Sequence, residues 1–307
     1  AENRALADWM ETAVSPRLEA YRKDATSGSL RALKDAFAPL QQLHVHYLRK
    51  ENVLFPYLEK HGITAPPKVM WGVDDDIRGL IKEAGLLLSA SGSDSQSIIT
   101  AVEEALRKIS EMIFKEKNIL LPMLLETLED DEWAKIAADS VELGFCLIPP
   151  PPAFMPRQAP QAAQPVQAAA PTSAIALPTG QLQPGELSAM LNALPVDITF
   201  VGRDDTVKYC SQGRERIFPR TASVIGRKVV NCHPPASVHI VEKILADFKA
   251  GKKDHEDFWL HLHGKYILIR YYAVRSPEGE YLGTLEVTQD IALLQAITGE
   301  KRLVSNP

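Results

Sequence analysis

Apolar residues recur every three or four positions through most of the first 145 residues. ENRALADWMETAV, SLRALKDAFAPLQQLHVHYLRKENVLFPYLEKHG, DDDIRGLIKEAGLLLSA and DSQSIITAVEEALRKISEMIFKEKNILLPMLLETL each carry an apolar stripe at helical spacing. Ser27-Gly28, the Pro66-Pro67 pair and Ser91-Gly92-Ser93 separate them. Four long amphipathic helices joined by short breaks predict an antiparallel bundle, with EDDEWAKIAADSVELG as a further helix leading out of it.

The period changes in the last third of the chain. LPVDITFVGRDDTVKYC predicts two short strands turning at Arg203-Asp204-Asp205, and GRKVVNCHPPASVHIVEKILADFKAG a helical middle. DFWLHLHGKYILIRYYAVRSPEGEYLGTLEVTQDI predicts three longer strands, the last two joined at Ser276-Pro277-Glu278-Gly279. A small antiparallel sheet of this kind buries one face only when helices cross it. ELSAMLNAL, just after Pro184, predicts a flanking helix, and LLQAITGEKRLV a short helix at the end. Between the two regions, IPPPPAFMPRQAPQAAQPVQAAAPTSAIALPTGQ is rich in Pro, Ala and Gln and almost uncharged. It cannot bury a core and predicts a disordered spacer. The expected organisation is α+β in two domains: a four-helix bundle over 1–147, a linker over 148–183, and a five-stranded sheet with flanking helices over 184–304.

Composition narrows the function classes. A chain of 307 residues with 45% apolar content supports two ordinary cores, and a net charge of −5 argues against a nucleic-acid or anionic-membrane binder. No apolar run reaches the length of a membrane span. The three cysteines, Cys146, Cys210 and Cys232, form no C-x-x-C pair, which fits a reducing compartment and a cytoplasmic protein. The chain has no P-loop, G-x-G-x-x-G after a strand, G-x-S-x-G or H-E-x-x-H, so no enzyme is expected.

The order of strands and helices after residue 184, closed by a Gly-led strand running into Asp290-Ile291, resembles a PAS domain. ELSAMLNALPVDITFV, ERIFPRTASVIGRKVVNCHPPASVHIVEKI and GEYLGTLEVTQDI resemble the bacterial DUF438-type proteins, which join a hemerythrin-like HHE domain to a C-terminal PAS domain. The resemblance covers nearly the whole chain except the linker. It implies a signalling or sensor protein whose PAS domain holds a small ligand or cofactor and signals through homodimerisation or a protein partner. An iron-binding protein that binds or senses oxygen, nitric oxide or peroxide through the bundle is the alternative, and a heme-binding PAS sensor a third.

Hemerythrin-like bundles hold two irons with His and carboxylates, two helices carrying His-x-x-x-Glu a fixed distance before a Leu/Phe-Pro break. Spacing of four puts both groups on one helical face. Here HYLRKENVLFP and MIFKEKNILLP align through Pro56 and Pro122 as an internal repeat. The first has His46 but Lys50 in the Glu position; the second has Met112 in the His position but keeps Glu116. Asp74 stands where the resemblance places a His on a third helix. An intact di-iron site, or a single metal on His46, Glu116 and a neighbour such as Glu51 or Asp74, is one reading. The other is a metal-free polar core in which Lys50 pairs with Glu116, a cation replacing a cation, because a nearby ammonium repels a metal ion. Glu51, Asp74 and Asp75 are candidates to join that network, and His44 and His61 read as surface or helix-end residues.

A PAS pocket lies between the inner sheet face and the helices, so alternation matters. Phe258, Leu260 and Leu262 share one face and Trp259, His261 and His263 the other; Ile267, Ile269 and Tyr271 likewise oppose Leu268, Arg270 and Tyr272. Alternation does not say which set faces inward. The candidate ligand contacts are Phe200, Tyr209, Phe218, His233, His239, Trp259, His261, Arg270 and Tyr271. His239 or His233 is the candidate axial ligand of a heme. In Cys232-His233-Pro234-Pro235 the prolines also suit a helix start, with His233 satisfying a buried backbone group.

Overall fold

The computed structural model describes residues 1–152 and 174–300, and the chain divides into two compact units. The helical unit is built from α1 (Glu2–Trp9), α2 (Ser15–Lys23), α3 (Ser27–Phe37), α4 (Leu43–Arg49), α5 (Phe55–Lys60), α6 (Ala65–Leu87), α7 (Ser95–Lys115), α8 (Leu121–Thr127) and α9 (Asp130–Leu143). The helix starts have chemical causes. Thr26 and Ser29 cap α3 reciprocally, and Asp94 caps α7 by accepting from the Ser97 amide at 2.9 Å. Their apolar stripes meet in one core that includes Leu33, Phe37, Tyr47, Phe55, Leu58, Ile77, Ile98, Val102 and Ile109.

Three joints in this unit are π-helical turns: Met10–Val14 between α1 and α2, Lys50–Leu54 between α4 and α5, and Glu116–Leu120 between α7 and α8. Each runs into a helix whose second residue is proline: Pro16, Pro56 and Pro122. Proline has no N–H for the carbonyl four residues back and its ring crowds that carbonyl, so the ladder widens locally without breaking the rod. Two of the released carbonyls find side-chain donors. Thr12 O accepts from Arg17 Nη1 at 3.2 Å. Asn52 O accepts from Ser223 Oγ at 2.7 Å, on the segment Thr221–Arg227, which together with Asn231–Val238 belongs to this helical unit.

The second unit is organised by a sheet. Part of the predicted linker, 153–173, lies outside the described residues. The rest corrects the expectation of disorder: β1 (Ile175–Leu177) pairs antiparallel with β2 (Gly180–Leu182). Pro178-Thr179 forms the two-residue turn, with φ of the proline already fixed for it. After α10 (Pro184–Ala193) come β3 (Asp197–Gly202), β4 (Val207–Cys210), α11 (Val238–Lys249), β5 (His255–Leu262), β6 (Lys265–Arg275) and β7 (Tyr281–Asp290). These five strands form one antiparallel sheet in the order β4-β3-β7-β6-β5. The last helix, α12 (Ala292–Gln295), is shorter than the sequence predicts, and 301–307 lies outside the described residues.

Register fixes which side chains share a face. Asp197, Thr288, Ile269 and Phe258 form one row across the sheet, and Thr199, Glu286, Tyr271 and Glu256 the next. On this face Asp197, Thr199, Glu286, Thr288, Ile267 and Ile269 are all buried, so it is the inner one.

Gly283, paired with Gly202, sits where β3 and β7 approach closely: an added Cβ would overlap the Val201 carbonyl oxygen and the Phe200 ring. Gly283→Ala is therefore expected to lose about 1–3 kcal/mol of stability, read by urea denaturation of the whole chain.

Candidate functional site

The polar centre of the helical unit is built around Lys50, the first residue of its π turn, with a side chain 2% exposed. Its Nζ donates to Asp74 Oδ1 of α6 at 2.8 Å and to Glu116 Oε1, and lies 4.3 Å from the centroid of the Tyr47 ring. The other Glu116 oxygen takes Asn3 Nδ2 of α1 at 2.8 Å and His46 Nε2 of α4 at 2.9 Å. The second nitrogen of His46 is also engaged, with Glu2 Oε2 at 3.0 Å. Glu2 in turn accepts from the Arg49 guanidinium and from the Cys146 amide. Arg49 reaches the Gly144 carbonyl. A cleft of about 940 Å³ opens beside this centre, its lining including Glu2, Asn3, His46, Lys50 and Glu116 together with the apolar Leu54, Ile113 and Leu124.

The remaining sequence candidates divide. Glu51 does not join the Lys50 centre directly: Arg78 clamps both its oxygens at 2.8 Å and also holds Asp75 at 2.8 Å. A guanidinium makes this bidentate fork better than an ammonium does, so Glu51 is taken by Arg78 and not by Lys50. His44 is exposed and bonded to the Gln41 carbonyl, while His61 is bonded to Glu132. Glu2, Asn3, Arg49 and Arg78 were not foreseen. Their signal was weak, since a polar residue at the edge of an apolar stripe reads the same whether it turns inward or outward.

Charge pairing shapes the ionisation of this centre. Burial opposes a charged Glu116, but His46 and Lys50 outweigh it and hold the carboxyl well below the usual range. Burial pushes Asp74 the other way, up, against the pull of Lys50. Burial also raises Glu51, partly offset by Arg78, and raises Tyr47 well above the ordinary phenol value.

These residues do not fit a pair of metal ions. One imidazole is present and both its nitrogens already face carboxylates. The space between the two inward carboxylates of Asp74 and Glu116 is filled by an ammonium. Among the described residues no group of three His, Cys, Asp or Glu side chains is arranged to hold an ion. Metal ligation needs lone pairs turned toward a common point, and here they are spent on protons.

A second polar group lies on the inner face of the sheet. Asp197 Oδ2 accepts from the amides of Ile217 and Phe218, each at 3.1 Å. Arg220 reaches the next row, bonding Thr199 Oγ1 and, at 2.9 Å, Glu286 Oε1. Tyr271 is hydrogen-bonded to Glu286, and burial holds its phenol protonated far above the ordinary range. Two buried oxygens in this region accept no hydrogen bond: Asp197 Oδ1, 3.9 Å from Arg220 Nη1, and Thr288 Oγ1, its neighbour in the same row. Such atoms are rare in folded proteins because each loses its hydration without replacement.

Phe218 and Tyr271 belong to this group, the first with its ring 5.6 Å from the Arg220 guanidinium. The other predicted contacts do not meet there. Tyr209, paired with Phe200, lies on the opposite face, as do Trp259, His261 and Arg270, which pair with Leu268, Tyr266 and Asp257 and alternate with the inner residues along their strands. Trp259 is 63% exposed, and His261 stacks on Tyr266 with ring centroids 4.5 Å apart. The strand period reverses their direction relative to Phe258 and Tyr271. His239 is exposed in the first turn of α11, and His233 is half-buried in the segment Asn231–Val238.

Residues 2–124 match the family model described as the hemerythrin HHE cation binding domain, and residues 187–292 match that of a PAS domain. Among solved structures, a C-terminal domain from Streptococcus mutans is 34% identical over 41% of this chain and 97% of its own, with a TM-score of 0.39. The PAS domain of BvgS from Bordetella pertussis is 20% identical over 36% of this chain and 90% of its own, with a TM-score of 0.30. A PAS domain from Colwellia psychrerythraea is 16% identical over 36% of this chain and 97% of its own, with a TM-score of 0.27. No curated protein matches.

The depressed Glu116 carboxyl makes the helical unit acid-sensitive. A carboxyl held low in the folded state stabilises fully above its unfolded pKa, about 4.3, and loses that contribution as pH falls toward the folded value. Glu116→Gln is expected to cost about 3–5 kcal/mol at pH 7. It should also show a shallower loss of thermal midpoint than the wild type between pH 5 and pH 3, as read by circular dichroism melts.

Proposed function

The chain joins a hemerythrin HHE domain to a PAS domain, and on that premise we propose that it is a signalling protein whose PAS domain senses a small polar molecule against its inner sheet face. The observation that carries this reading is the pair of unsatisfied buried oxygens, Asp197 Oδ1 and Thr288 Oγ1, beside the Arg220–Glu286–Tyr271 group. A carboxylate oxygen is an acceptor only, so the ligand offers at least one hydrogen-bond donor, with the Thr288 hydroxyl able to take either role. A buried face this rich in carboxylates suits such a ligand better than the apolar ring of a heme.

Binding would bias the sheet and its flanking helix toward one of two populations, and the output would pass through pairing of two chains or contact with a protein partner. α10 supports the pairing step: none of its residues is buried, and Met190 and the following Leu194 are 49% and 42% exposed. The proposed role is signalling without a catalytic step.

Native mass spectrometry of the gently purified full chain is expected to find a small molecule retained by the wild type and lost in Thr288→Val and Asp197→Asn. An adduct retained equally by all three chains would place the ligand elsewhere. A wild type with no adduct, and with the same oligomeric state after exposure to cell metabolites, would count against sensing altogether.

A further inference from the structure

We infer that the hemerythrin-type domain of this chain carries its own cation: the Lys50 ammonium takes the position of a metal ion, and the domain folds and stays closed without metal. The inference goes beyond the sensing role proposed for the PAS domain and does not depend on it.

The internal repeat supplies the first argument. Lys50 and Glu116 stand at equivalent places, each six residues before its proline, Pro56 or Pro122. Each opens a π-helical turn, and the two side chains meet in a direct ion pair at the centre of the unit. A bundle with a carboxylate at both places would bring two negative charges together and require a cation between them. In this chain a single residue type change at position 50 removes one of those charges and delivers the positive charge in its place.

The second argument is that every donor around the centre is consistent with that exchange. Met112, equivalent to His46 in the repeat, is 1% exposed and offers no imidazole. His46 is tied at both nitrogens, and Asn3 donates to Glu116 rather than presenting a lone pair to it. The ammonium is held on one side by Asp74 and Glu116 and on another by the face of Tyr47. Three bonding directions of a tetrahedral ammonium are thereby engaged, which is the condition for burying one. A divalent ion introduced here would meet a fixed positive charge within bonding distance of the same carboxylates.

The test compares the full-length wild type with the double variant Lys50→Glu, Met112→His, which restores the two donors missing from the repeat. Wild-type protein from iron-replete cells is expected to contain far less than one metal per chain. Its thermal midpoint should be unchanged by EDTA or by added Co(II). The double variant should gain visible Co(II) absorption and a higher midpoint on cobalt addition. Lys50→Met, which leaves the buried Asp74 without its partner and Glu116 with only its bonds to Asn3 and His46, should lower the midpoint by roughly 10 °C without metal. Stoichiometric metal in the wild type would overturn the inference, as would equal cobalt responses in the wild type and the double variant. The wild-type metal content is decisive even if a variant fails to fold.

Discussion

A buried ammonium constrains the helical unit more than any other group in it. Lys50 is as inaccessible as the leucines around it, and a charge in that position is tolerated only when its bonds are made. Satisfying it draws in Asp74 from α6 and Glu116 from the joint after α7. Glu116 then engages His46 and Asn3, His46 engages Glu2, and Glu2 engages Arg49 and the Cys146 amide. One chain of charge-assisted bonds thus ties α1, α4, α6, α7 and the segment after α9 around a single point. Apolar packing supplies the bulk of the unit's stability, but it is non-directional; the bonds to Lys50 specify how the helices are set against one another.

The prolines explain how both partners of that bond come to face inward. A straight α-helix turns its side chains through a fixed angle per residue, and a π turn inserts extra rotation without ending the rod. Both Lys50 and Glu116 begin such a turn, and in each case the proline beyond it prevents the ladder from closing regularly. The same geometry serves a metal-binding bundle and this one equally, since it positions side chains without regard to their charge. What differs is the chemistry delivered, a proton-bearing cation in place of lone pairs directed at an ion.

The sheet unit follows the opposite rule. Its inner face combines Ile267 and Ile269 with Asp197, Thr199, Glu286 and Thr288, so polar atoms there cannot be served by water and must find protein or ligand partners. Arg220 serves Thr199 and Glu286, the Ile217 and Phe218 amides serve one oxygen of Asp197, and Tyr271 adds a donor kept protonated by burial. Two oxygens, Asp197 Oδ1 and Thr288 Oγ1, are left over.

The sequence by itself determined the two-domain architecture. Helical spacing fixed the bundle and period-two alternation fixed the five strands of the sheet, because each period is dictated by backbone geometry. It also carried the repeat through Pro56 and Pro122, which is enough to set Lys50 against Glu116. Alternation, however, divides a strand into two faces without saying which is covered; Trp259, His261 and Arg270 looked as suitable as Tyr271 until the register placed them outside. The polar inner face was hidden for the same reason, since Asp197, Thr199, Glu286 and Thr288 in a strand pattern read as a solvent-facing set. Glu2, Asn3 and Arg78 lie 48, 47 and 28 positions from Lys50 in the chain. Only packing of the helices decides that the first two meet at its centre while the third takes Glu51 away from it. Local periodicity is a property of neighbouring residues, whereas burial and partnership belong to elements that meet across the fold.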